Sequence, residues 1–291
     1  MIIFADARAD DASEGARPAL MRLEPEGRAK AKALALAPAA RFAPPPLAAR
    51  RDPRPKIALI VDDLGLDRAA LNEVLTMPGP LTLSLLPYGR NLKATAARAK
   101  AAGHAVMLHL PMEPVGGEDP GPHALTVEMD PARLRQEIAW NLSRFDGYTG
   151  VNNHMGSKLT SDAAVIAEVM SALRPHTKYF LDSITIASSV AKSAAERAGL
   201  PAYARDVFLD DAPGREAVLA RIAELEAHAR ANGLAIGIVH PRATSLDAVS
   251  DWLRTVTARG FDLITMDEVH AQSSGRRPLV AETVADAGQG S

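Results

Sequence analysis

The sequence predicts an α/β fold, a (β/α) barrel of seven or eight parallel strands. Three observations predict it. Short apolar runs alternate with amphipathic segments through residues 56–270, the pattern of strands joined by helical crossovers. Helical segments stop at a glycine just before the next apolar run, at Gly103, Gly199, Gly233 and Gly260, where a left-handed C-terminal residue is favoured. Polar residues follow the runs directly, at Asp62-Asp63, His109, Asn153-His154, Asp182 and His240. In parallel α/β proteins the carboxyl ends of the strands form the rim where ligands bind. Seven or eight such units within residues 56–270 favour a barrel over an open sheet.

The elements follow in order. The first run, Ile57-Ala-Leu-Ile-Val61, is apolar throughout, as a strand covered on both faces requires. A predicted helix over 67–76 leads to a strand at 81–86. A helix over 90–102 then stops at Gly103, and a strand at 105–108 follows. Asp130-Pro131 places an N-cap before a proline at the first turn of a helix over 131–144. Strands at 149–152 and 179–181 flank a helix over 161–173, whose start carries the capping groups of Thr160-Ser161-Asp162. A helix over 187–198 leads to a strand at 202–208. Helices over 214–232 and 245–259 precede strands at 234–239 and 263–266.

Residues 1–55 hold 16 Ala and 8 Pro, with Pro44-Pro45-Pro46 at the centre of an extended stretch. They read as a disordered linker, and 271–291, rich in Gly, Ser, Ala and charge, as a disordered tail. Met1-Ile2-Ile3-Phe4 gives way at once to Ala-Asp-Ala-Arg, so no secretory apolar run is visible. No apolar stretch of about 20 residues suggests a membrane span.

Composition narrows the chemistry. The 291 residues carry 33 Lys plus Arg against 35 Asp plus Glu, a net charge of -2, which argues against nucleic-acid binding by bulk charge. Aromatic residues at 4% are too few for base-stacking platforms. Hydrophobic residues at 47% suffice for a large core. Cysteine is absent, which excludes disulfides, cysteine-ligated zinc, iron–sulfur clusters and a thiol nucleophile. Any metal must be held by His, Asp and Glu.

Four motifs carry candidate chemistry. Asp62-Asp63 ends the first strand. Alternation of successive side chains points the two carboxylates apart, so one can ligate a metal while the other serves as a base; a helix-capping pair is the alternative. His109 ends the third strand, with Glu113 four residues on. His104 opens that strand at the opposite end and reads as structural. Asn152-Asn153-His154 sets amides and an imidazole on a glycine-bearing loop, suited to oxyanion or sugar hydroxyl contacts. His240-Pro241-Arg242 ends the strand at 234–239. Three of the eight histidines thus fall at strand ends, more than surface polarity explains. His123, His176, His228 and His270 read as solvated.

In this order the motifs resemble the polysaccharide deacetylases of carbohydrate esterase family four. Val61-Asp-Asp-Leu-Gly65, His109-Leu-Pro-Met-Glu-Pro114, Asn152-Asn-His-Met-Gly-Ser157, Phe180-Leu-Asp-Ser183, Arg205-Asp-Val-Phe-Leu-Asp210 and His240-Pro-Arg-Ala-Thr244 are more similar still to the divergent polysaccharide deacetylase family. The resemblance spans residues 56–270 and implies a deformed (β/α) barrel. It implies Asp62 as catalytic base, Asp63 as metal ligand and His240 as the acid that protonates the leaving amine. His109 matches the first histidine of the larger family's His-Ser/Thr-x-x-His motif, but Glu113 stands where the second would be. His154 is the candidate replacement, completing an Asp63, His109, His154 metal set; Glu113 could instead ligate, or orient His109. Asn153, Asp182, Arg205 and Asp206 are candidates for substrate contact or for supporting the ligands. Arg205-Asp206 has a structural ion pair as its alternative. Ile184 stands where the family often has Arg, and Val239 where it tends to have Gly.

The function implied is metal-dependent hydrolysis of N-acetyl groups on a cell-envelope glycan. Zinc fits the ligand types, and other divalent metals suit an Asp-containing site. The alternative is a catalytically weak or inactive deacetylase-like protein that binds envelope glycan or a protein partner. A metal-dependent hydrolase of phosphate esters or peptides on the same barrel ranks last. The resemblance also implies a periplasmic or envelope location, and a monomer is expected.

Overall fold

The computed structural model describes residues 53–275. Apart from 53–55 and 271–275, the expected linker and tail lie outside the described residues. The elements alternate as the sequence predicts: β1 (Lys56–Leu64), α1 (Arg68–Val74), β2 (Thr82–Leu85), α2 (Leu92–Ala101), β3 (Ala105–Met112), α3 (Pro131–Leu142) and β4 (Gly150–Met155). A 3-10 turn (Leu159–Ser161) precedes α4 (Ala163–Leu173), β5 (Tyr179–Asp182) and α5 (Ala191–Arg197). Then come β6 (Ala202–Ala204), β7 (Val207–Phe208), α6 (Arg215–Asn232), β8 (Leu234–Val239), α7 (Ala243–Leu253), β9 (Asp262–Leu263) and α8 (Met266–Ser273).

Every pairing is parallel. The strand order is β6-β5-β4-β3-β2-β1-β8-β7, with β9 joining the start of β1. The predicted strand over 202–208 is two short strands, because its successive backbone groups face opposite ways. The Arg205 N–H donates to Asp182 O on the β5 side at 3.1 Å, and the Asp206 N–H to Ile236 O on the β8 side at 2.8 Å. One chain segment therefore closes the curled sheet, and no continuous ladder does. This is the deformation of the barrel.

Strand periodicity sorts the side chains into two layers. On β1, Ile57, Leu59 and Val61 face the helices, in the larger apolar cluster. Ala58 and Ile60 face the barrel interior, with Met107, Tyr179, Leu181, Ile236 and Ile238 from other strands. Two residues further along the same inward rows lie Asp62, His109, Ser183 and His240. The interior is thus apolar below and polar at the C-terminal rim.

The lower end is closed by α8, which differs from the expected final strand. Thr265 and Glu268 form a capping box, so Met266 begins a helix rather than ending a strand, and α8 runs past the expected boundary at 270. The signal was present as Thr265-x-x-Glu268. The Met266 N–H donates to Thr82 Oγ1 at 2.9 Å, and Asp267 accepts from Tyr179 and Thr149 hydroxyls, each at 2.9 Å. His270, read as solvated, lies 3.2 Å from the Tyr203 hydroxyl and packs on Tyr179. His123 is likewise not free: it pairs with buried Glu137 at 2.7 Å and stacks on Trp140. His104 is buried, its Nδ1 accepting from the Leu81 N–H at 3.2 Å.

Gly150 marks the tightest approach in the lower layer. A Cβ there would sit 2.1 Å from Tyr179 Cε2, and Tyr179 is fully buried and hydrogen-bonded. Overpacking of this kind costs about 1–3 kcal/mol. Gly150→Ala is expected to lower the melting temperature by roughly 2–10 °C in a domain of this size, measured by calorimetry. An unchanged melting temperature would show that the ring can yield.

Candidate metal centre

The inward rows deliver His109 from β3, His154 and Asn152 from β4, Asp62 from β1 and His240 from the end of β8. Alternation alone would point Asp63 away from them. Instead Asp63 adopts a left-handed conformation, φ 56°, at the point where the β1–β2 register shifts between Val61 and Leu64. The two adjacent carboxylates therefore do not point apart, as the strand rule led one to expect. The left-handed turn swings Asp63 back to the same cluster.

Three ligand atoms converge there. Asp63 Oδ1 lies 2.7 Å from His154 Nδ1 and 3.2 Å from His109 Nε2, and those two nitrogens are 3.3 Å apart. Asp63 Oδ1 is buried, yet no hydrogen bond is directed at it. Donor atoms this close could share one cation at ligand distances of about 2.0–2.2 Å, so the spacing fits. Among the described residues this is the one group of three such side chains placed to hold a metal ion. Burial pushes the Asp63 carboxyl up, but His109 and His154 outweigh it and hold the group well below the usual carboxylate range. Burial pushes His109 down; Asp62 and Asp63, with the Asn152 hydrogen bond, more than reverse this.

Asp62 is 2% exposed and 3.7 Å from His109 Nε2. Both its oxygens accept from Asn152 Nδ2, at 2.9 and 3.1 Å. Across the cluster, His240 Nε2 lies 3.8 Å from Asp63 Oδ2. Its Nδ1 is held by Asp210 Oδ1 at 3.0 Å. Asp210 is itself buried and fixed by the Ser245 hydroxyl at 2.9 Å and the His240 N–H at 3.1 Å. Burial pushes His240 down, but Asp210, Asp63 and Asp62 raise it above its ordinary value. Asp210 and Asn152 were missed as site residues. Both stood inside quoted motifs: Asp210 closes Arg205-Asp-Val-Phe-Leu-Asp210, and Asn152 lies one strand period before His154.

The other expected residues do different work. Glu113 neither ligates nor orients His109. It pairs with Lys158 Nζ at 2.6 Å and accepts the Val127 N–H at 2.8 Å, while His109 Nδ1 faces Asn152 Oδ1 at 2.9 Å. Asn153 lines the cavity, but its amide is spent on Met155 O at 2.7 Å and on the Ser183 N–H at 2.9 Å. Asp182 and Arg205 brace a strained turn at Ile184, a β-branched residue with φ 46°. Such a conformation costs about 1–2 kcal/mol. Asp182 Oδ1 accepts the Ile184 N–H at 2.9 Å, and Arg205 donates to Ser183 O and Ile184 O, each at 2.8 Å. Asp206 accepts the Ile236 N–H at 2.7 Å. Arg205 and Asp206 do not form the mutual ion pair considered above.

A cavity of about 260 Å³ opens over the three ligand atoms, bounded by Asp62, His240, Phe208 and Thr185. Across Phe208 and Thr185 it adjoins a second cavity of about 390 Å³ that reaches Arg205. The arrangement can hold a divalent cation with a carboxylate on one side and a carboxylate-supported imidazole on the other.

Comparison with known proteins agrees with this architecture. The chain is 34% identical over 191 residues to the uncharacterized protein YibQ of Escherichia coli K12, covering 66% of this chain and 60% of YibQ. It therefore spans less than two thirds of that relative. An uncharacterized protein of Haemophilus influenzae is 31% identical over 204 residues, which is 69% of this chain and 72% of the relative. The crystal structure of an uncharacterized protein from Agrobacterium tumefaciens C58 superposes with a TM-score of 0.72 at 26% identity, covering 75% of this chain and 90% of that one. The sequence profile of the divergent polysaccharide deacetylases matches residues 59–270. The strand-end motifs and the barrel that gathers them are those of a family member: the chain belongs to the divergent polysaccharide deacetylase family.

Proposed function

We propose that this protein is a metal-dependent hydrolase that removes N-acetyl groups from a cell-envelope glycan. The observation that carries the reading is the convergence of Asp63 Oδ1, His109 Nε2 and His154 Nδ1 between two groups suited to proton transfer. These three residues would hold the cation, for which zinc fits a donor set of two imidazoles and a carboxylate. When bound, the cation supplies Lewis acidity to the amide carbonyl and to water.

The chain's own residues do the rest. Asp62, buried beside His109 and held by Asn152, accepts a proton from the attacking water. His240 gives a proton from Nε2 to the departing sugar amine. Asp210, against Nδ1, turns the other ring nitrogen toward the site and favours the protonated ring. Phe208 and Thr185, shared by the two cavities, support placement of the acetylated sugar in the smaller and the adjoining chain in the larger. The site is partly open, as a polymer substrate requires. The glycan assignment carries an envelope location with it, periplasmic where there are two membranes. Among the described residues no helix is long and apolar enough to cross a membrane.

Three experiments test this. The full chain, stripped by a chelator and reloaded with zinc, is expected to release acetate from N-acetylated glycan oligomers only in the loaded form. Glycan binding that persists without acetate release would instead support a binding protein. Asp62→Asn and His240→Ala are each expected to lower kcat by about 10²–10⁴-fold, the usual worth of a general acid or base, while zinc still binds in calorimetry. Full activity in either variant would remove that residue from the reaction. Asp63→Ala is expected to weaken zinc binding by more than the roughly 100-fold that loss of an outer hydrogen-bond partner costs. Unchanged zinc affinity in that variant would place the metal elsewhere.

A further inference from the structure

We propose that Asn152 is a positioning residue that sets the metal ligand His109 and the base Asp62 at once. This rests on the reading of the site given above. Asn152 is fully buried on β4, and its amide meets four partners. Oδ1 lies 2.5 Å from Ser84 Oγ and 2.9 Å from His109 Nδ1. Nδ2 lies 2.9 and 3.1 Å from the two Asp62 oxygens and 3.2 Å from Ser183 Oγ.

Two independent constraints fix which way the amide faces. A carboxylate only accepts hydrogen bonds, so the Asp62 side must see the NH2 group. The Ser183 hydroxyl spends its own proton on Asn153 O at 2.9 Å, so it too must accept from Asn152. The oxygen is then committed to the opposite side. An amide oxygen cannot donate, so the proton on the His109 ring must reside on Nδ1. That leaves the lone pair on Nε2, the atom that faces Asp63 Oδ1 and His154 Nδ1. Asn152 therefore presents a ligand-ready imidazole with its oxygen and aims the Asp62 carboxylate with its nitrogen. Glu113, one of whose two suggested roles was to orient His109, takes no part in this.

The two halves can be separated by substitution. Asn152→Asp keeps an acceptor toward His109. Toward Asp62 it loses the donor: ionised, it repels Asp62, and protonated, it shares its proton with Asp62 and withdraws the base. Asn152→Leu removes both functions at similar volume. In the full chain, zinc titration by calorimetry is expected to show Asn152→Asp within about threefold of wild type and Asn152→Leu weakened about 10–100-fold. Acetate release at saturating zinc is expected to fall at least 100-fold in both. A merely structural role would weaken zinc binding alike in both variants, or in neither, and either result would overturn the proposal.

A third measurement needs neither turnover nor a variant that folds. Long-range proton–nitrogen NMR of the metal-free wild-type chain reads the tautomer directly, at a pH where the His109 ring is neutral. The proposal expects the proton on Nδ1, and a proton on Nε2 would overturn it. Should the wild-type protein release no acetate from any glycan while the tautomer and zinc results hold, the hydrolase reading fails and the positioning of His109 stands.

Discussion

Two adjacent carboxylates drawn to one buried point are the constraint on which the site depends. Asp62 is buried on the inward face by strand periodicity, and Asp63 is turned to join it by a left-handed backbone. Like charges this close repel strongly where water is scarce. Polar groups surround the pair: the His109 and His154 imidazoles lie beside Asp63, the Asn152 amide donates to Asp62, and His240 lies beyond. The donor set of Asp63, His109 and His154 is one that could hold a divalent cation. Removing one member of a buried set of this kind leaves the others uncompensated, so the site is expected to behave as a unit.

The barrel holds these groups in place through two closures far apart in the sequence. The segment from Ala202 to Phe208 bonds to β5 with its first half and to β8 with its second, which fixes β4 and β5 relative to the strand that carries His240. At the lower end α8 caps the interior, tying Asp267 to Tyr179 and Thr149. Between these closures the apolar interior layer fills the barrel. The polar layer above it is thus presented at the rim on a packed floor rather than on loops alone.

Much of this was legible in the sequence. The alternation of elements, the glycine stops and the strand-end polar residues all reflect local rules of period and chain direction, and they located Asp62, Asp63, His109, His154 and His240. What escaped was set by tertiary geometry. Strand alternation misdirected Asp63 because nothing local announces a left-handed aspartate there. The resemblance offered Glu113 as a ligand or as a support for His109, but Lys158, 45 residues away, pairs with that carboxylate. Asp210 and Asn152 matter through groups 30 and 43 positions distant, a relation that no single motif displays. The split of the strand over 202–208 likewise depends on two partners that the local sequence does not identify.

Asp63, His109 and His154 are proposed to bind one divalent cation together. X-ray absorption spectroscopy of the zinc-loaded full chain tests it most directly, because it reads the ligands themselves. One zinc per chain is expected, with nitrogen and oxygen neighbours at about 2.0–2.2 Å and the outer-shell scattering of two imidazoles, reduced to one in His154→Ala. A zinc ion without imidazole scattering, or a shell that His154→Ala leaves unchanged, would contradict it.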